Sequence, residues 1–206
     1  MLEEKKGVGT SKYCAVQVTR PAEKLGRLAV LVLAAVLFSG CALVPRPAGE
    51  IGVPVSLPEL DTYEVAIVLN LNTTLGNHAG MFVGARLSDP AGSYHGTRSS
   101  EPDWKGPALE DYVRFQMRDG DRIQVYRFKL AQADFDTIES RVVNFGVSAP
   151  LFCAADVQNQ IAGVGPFSTI KPIWWTSPAA LGETLRALVD GAVAQGVCTW
   201  PSGHTC

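Results

Sequence analysis

Basic residues are too few and too scattered in this chain to build a nucleic-acid interface: 18 Lys and Arg stand against 20 Asp and Glu, with no basic cluster. Long apolar stretches are missing as well. The apolar run at residues 28–38 is about 11 residues long, where a helix needs roughly 20 to span a bilayer, which argues against a permanent transmembrane anchor. Histidine is scarce, with three in 206 residues, and neither a Cys-x-x-Cys nor a His-x-x-x-His pair occurs, so no metal site is expected. No internal repeat is present, and nothing in the sequence points to a cofactor.

What is present begins near the N-terminus. Lys24 and Arg27 precede the apolar run, which ends in Ser39-Gly40-Cys41. These are the charge, apolar core and small-residue exit of a signal peptide. The ending Phe38-Ser39-Gly40-Cys41 resembles the lipobox of bacterial lipoproteins, with Phe38 where Leu is more usual. The resemblance implies cleavage before Cys41, acylation of that cysteine, and a membrane partner reached through the lipid. Ala42, in place of the Asp that favours retention in the inner membrane, implies an outer-membrane location facing the periplasm. The residues ahead of Leu28 are long for a signal's charged region and carry no helical or strand periodicity, as a start codon assigned too far upstream would produce.

The expected organisation is a signal peptide with a long extension at residues 1–40, a lipid anchor and flexible tether at 41–59, and one α+β domain at 60–206. The tether reading rests on Pro45, Pro47, Pro54, Gly49 and Gly52. Six basic and three acidic residues precede Cys41, which leaves 12 against 17 after it, a net charge of about −5. Lipid, not charge, would hold such a chain to a membrane. Of the five cysteines, Cys153, Cys198 and Cys206 follow the lipidated position, an odd number for an oxidising compartment. Cys198 and Cys206 bracket a short segment and are the expected disulfide, leaving Cys153 outside the pair.

Strands are expected at residues 63–71, at 79–83 after the Gly76-Asn77 turn, around Tyr94-His95, and at 122–130 after the Asp119-Gly120 turn. Residues 96–106 read as a surface loop. Helices are expected from an Asp136/Glu139 capping box, with Phe135, Ile138, Val142 and Val143 as its apolar face, and from about Cys153. A further helix is expected with Ser177 as N-cap and Pro178 as its first residue, burying Leu181, Leu185 and Leu188. Strands first and helices later point to α+β.

His78, His95 and Cys153 are the residue types from which an activated nucleophile is made. His78 opens one strand, His95 is expected on its antiparallel neighbour, and Cys153 opens a helix, where the dipole favours thiolate. The run His78-Ala79-Gly80-Met81-Phe82-Val83-Gly84, then His95, then Phe152-Cys153 resembles the circularly permuted branch of the papain-like, NlpC-type amidase superfamily, which includes relatives of lecithin retinol acyltransferase. In that branch the histidine precedes the cysteine, as here. The resemblance spans roughly residues 63–161. It lacks the Gly-Asp pair common ahead of the first strand, and its His78-to-His95 gap is longer than in the acyltransferases.

The resemblance implies a papain-like antiparallel sheet packed on helices, with Cys153 as nucleophile, His78 as its base and His95 as the orienting third residue. It also implies thiol hydrolase or acyltransferase activity, with peptidoglycan stem peptides as the leading substrate class and acyl esters as the other. The alternative is a non-catalytic envelope lipoprotein on the same fold that binds a lipid, peptide or protein. Trp174 and Trp175 suit either a substrate groove or the core, and Trp104 suits a cover over the cleft.

Overall fold

Seven successive buried residues form the centre of the fold. They are Glu64–Asn70 (β1), whose Val, Ile and Leu content suits a strand covered on both faces. A computed structural model describes residues 57, 59–146, 148–190 and 197–200. The expected signal peptide, Cys41 and nearly all of the tether lie outside the described residues, as do Cys206 and with it the expected disulfide.

His78–Val83 (β2) and Arg86–Ser88 (β3) flank β1 on one side. Ile123–Lys129 (β4) and Val197–Trp200 (β5) follow on the other. The sheet order is β3-β2-β1-β4-β5 and every pairing is antiparallel. Five helices accompany it among the described residues: Tyr94–Arg98 (α1), Leu109–Gln116 (α2), Gln132–Asn144 (α3), Cys153–Ile161 (α4) and Pro178–Asp190 (α5). The α+β class expected from the sequence is therefore what the chain adopts: an antiparallel sheet packed against helices.

Alternation along the strands sends side chains to two separate cores. Ile67, Leu69, Met81 and Phe128 pack with Ile138 of α3, Val157 of α4 and Leu181 of α5 on one face. Ala66, Val68, Phe82 and Val125 pack with Tyr94 of α1 and Tyr112 and Val113 of α2 on the other. Each fully buried side chain of this size is worth roughly 1.5–3 kcal/mol. The sheet is held from both sides.

Three expectations need correction. Tyr94 and His95 lie on helix α1, and the third strand is the three-residue β3, which turns back from β2 through Gly84 and Ala85. Pro90 removes a backbone donor directly after Asp89, and the chain turns there instead of extending the strand. The expected loop at 96–106 begins inside that helix. Its remainder is pinned by Arg98, which donates to Glu101, Asp103 and Asp111 at 2.7–3.2 Å. Finally, α3 starts a turn before the expected capping box, with Ala131 as N-cap and no side-chain cap. Asp136 and Glu139 are then interior helix residues, and Val143 is 55% exposed.

Candidate active site

His78 is the first residue of β2 and pairs with Asn70 of β1. Its Nε2 lies 2.6 Å from Oδ1 of Asp89, with the two side chains only 14% and 8% exposed. Asp89 follows β3 directly. Because the hairpin pairs Met81 with Ser88, one further step brings Asp89 alongside Gly80, two residues from His78 on the same face. A second donor reaches the same oxygen: the Tyr112 hydroxyl of α2, at 2.7 Å.

Two glycines make room for this cluster. A Cβ on Gly80 would stand 2.1 Å from the Tyr112 hydroxyl, and one on Gly92 would stand 1.9 Å from Oδ2 of Asp89. Any larger residue at either place would displace the carboxylate or the phenol. Burial works to raise the pKa of Asp89. The charge of His78, the hydrogen bonds from His78 and Tyr112, and the backbone N–H of Tyr94 together outweigh it and hold the group below its ordinary value. Asp89 is thus a carboxylate at neutral pH. Tyr112 is pushed well above its ordinary value by its burial, by the charge of and hydrogen bond to Asp89, and by the charge of Cys153.

Cys153 is the first residue of α4 and is 1% exposed. Helix α4 packs against β2, the strand that His78 opens. The charge of Cys153 is among the influences that raise the pKa of Tyr112, the phenol that touches Asp89. Leu151, two residues earlier, has φ 81°, a left-handed conformation that costs a bulky residue on the order of 1–3 kcal/mol. In the first turn of α4, Asp156 accepts from Ser148, and burial raises its pKa against that bond.

His95 does not stand where the sequence reading put it. It is exposed on α1, with its ring 5.7 Å from that of Trp104, and the carboxylate of Asp89 occupies the place beside His78. Asp89 is the residue that sequence reasoning missed. A hairpin folded at Gly84-Ala85 carries the signal for it, since that register brings residue 89 alongside Gly80.

Trp104 is half-buried beneath the Arg98 guanidinium and against Tyr94. Trp174 and Trp175 join neither core: they are 81% and 39% exposed, on a segment tied to α4 by the paired hydrogen bonds of Asn159 with Ile173. An open cleft of about 650 Å³ follows the β2–β3 turn and reaches Asp89 and His95, with Arg86, Phe135 and Glu139 on its walls. Among the described residues no three His, Cys, Asp or Glu side chains are grouped as metal ligands. Comparison of the chain with protein-family models, with curated proteins and with solved structures finds no match.

Proposed function

We propose that this chain is a lipid-anchored cell-envelope hydrolase or acyltransferase that uses Cys153 as nucleophile and His78 as its base, on a circularly permuted papain-like fold. The observation that carries the reading is the short, buried contact of His78 Nε2 with Asp89, made at the head of the strand on which the Cys153 helix packs. Asp89 then takes the orienting role that the family resemblance implied for His95.

With Nε2 held by Asp89, Nδ1 is the ring nitrogen left to accept the thiol proton. The thiolate attacks an amide or ester carbonyl, forming a C–S bond as the carbonyl π electrons move onto oxygen. The positive end of α4 favours both the thiolate and that oxyanion, for which the backbone N–H of Cys153 is a donor. Collapse of the intermediate breaks the C–N or C–O bond, the imidazolium returns its proton to the leaving group, and water or another acceptor resolves the thioester. Asp89 keeps its charge throughout and stabilises the imidazolium, as the third member of such a triad does. Peptidoglycan stem-peptide amides are the leading substrate class and acyl esters the second.

A non-catalytic lipoprotein is the second reading, favoured by the 1% exposure of Cys153 and the 81% exposure of Trp174, a surface suited to a binding partner. The two separate in one measurement. Iodoacetamide labelling of the full chain in detergent is followed at the Cys153 peptide by mass spectrometry from pH 4 to 10, for the native protein and for His78→Ala. Labelling that persists well below the ordinary thiol value of about 8.5 and is lost in His78→Ala supports catalysis. A profile near the ordinary value, the same in both proteins, leaves the binding reading.

A further inference from the structure

We infer that Tyr112 is a positioning residue of the same centre: its hydroxyl holds the Asp89 carboxylate in the one orientation that grips His78. The inference rests on the Cys–His reading and adds to it a fourth side chain.

Tyr112 is fully buried, and its hydroxyl donates to Oδ1 of Asp89 at 2.7 Å, the same oxygen that His78 Nε2 reaches at 2.6 Å. A carboxylate oxygen with two lone pairs accepts both donors at once. The phenol therefore restrains the carboxylate in the plane and depth at which it meets the imidazole. Its own ring is fixed on three sides, edge-on to Tyr94 at 5.0 Å, edge-on to Phe82 at 5.7 Å, and over Gly80, the one residue of β2 without a Cβ to block it. Substituting Gly80 would drive a methyl to 2.1 Å from the hydroxyl. The missing Cβ at Gly80 is what leaves the hydroxyl room to reach Asp89.

The groups that face Asp89 come from each neighbouring element. They are His78 of β2, the Tyr112 hydroxyl of α2 and the backbone N–H of Tyr94 of α1, with the charge of Cys153 of α4 acting on Tyr112. Of these, only the phenol hydroxyl can be removed by losing one atom and no charge. Without it the carboxylate is a stronger base, protonates at higher pH and releases the imidazole sooner.

The test uses the full chain in detergent, with labelling read at the Cys153 peptide as a function of pH. Tyr112→Phe is expected to keep the alkaline plateau and to lose about tenfold in labelling rate on the acid limb, the size set by one hydrogen bond to a charged acceptor. Site-specific 3-fluorotyrosine at 112, a stronger donor of nearly the same shape, is expected to move the acid limb the opposite way. Opposite shifts are the signature of a hydrogen bond to Asp89, because a packing role would move both variants in one direction. Profiles of both variants that overlay the native one, or that shift alike, overturn the assignment to Tyr112 while leaving the Cys–His reading intact. A His78→Ala profile that overlays the native one overturns that reading and this inference with it.

Discussion

At the scale of single residues, the site divides into what a sequence can announce and what only a fold can place. His78 and Cys153 are announced by residue type and neighbours, whereas Asp89 is one of many acidic residues until the β2–β3 hairpin turns it back beside His78. His95 drew attention as the next imidazole along the chain, but a turn at Pro90 and a short helix put it on the surface. On the proposed Cys–His–Asp reading, Asp89→Asn is expected to cut Cys153 reactivity at neutral pH by up to about 10⁴-fold, the loss a triad suffers when its carboxylate becomes an amide. His95→Ala is expected to change it by no more than about twofold, as for other exposed substitutions. The same carboxylate gives a pH dependence of known sign. Its pKa is lowered on folding from the ordinary 3.8, so its stabilisation is complete above that value and is lost as the pH falls through the lower folded pKa. Asp89→Asn should therefore be less stable than the native chain by about 1–3 kcal/mol at pH 7. That gap should hold in urea unfolding at about pH 5 and narrow only when the measurement is repeated below pH 3.8, at about pH 3.5 and then at about pH 2.5.

Elements were legible in proportion to how much of their burial is written as a simple period. The strands at β1, β2 and β4 show as dense Val, Ile and Phe, and α5 shows through Ser177, Pro178 and leucines at helical spacing. Ser177 Oγ does accept from the backbone N–H of Ala180 at 3.1 Å. Helix α2 went unread because it is eight residues long, has no side-chain cap at Ala108, and buries Tyr112 and Gln116 among the apolar Leu109 and Val113. The two proposed caps in the sequence thus had different fates, and stability measurements should separate them. Ser177→Ala removes a bond that satisfies a helix-end donor and is expected to cost about 1 kcal/mol. Asp136→Ala, at an exposed position inside α3, is expected to change stability by less than about 0.5 kcal/mol. Equal losses in chemical unfolding would show that the α3 N-terminus is set at Asp136 after all.

For the whole molecule, the α+β class was legible in the order of strands and helices, but the separation into two cores was not, because β1 is buried on both faces and hides its alternation. The sequence reading also passed over a charge pair that ends one of those cores. Arg127 of β4 donates from Nε and from a terminal nitrogen to the two oxygens of Glu64, each at 2.7 Å, and from the same terminal nitrogen to the carbonyl of Glu59 at 2.9 Å. The side chains are 9% and 3% exposed. Nearby, Lys129 meets Asp61 at 2.6 Å, with both side chains more than half exposed. Contact distances rank these two pairs as equals, but the solvent around them does not. Removing one partner of the buried pair strands a charge in a low-dielectric environment and also unties residue 59 from the sheet, so Arg127→Met is expected to cost about 3–5 kcal/mol. Lys129→Met, at a pair already screened by water, is expected to cost less than about 1 kcal/mol. The double substitution Glu64→Leu/Arg127→Met leaves no stranded charge and should recover much of the single variant's loss. If it recovers nothing, the interaction that matters is the one to the Glu59 carbonyl, which ties the incoming chain to β4.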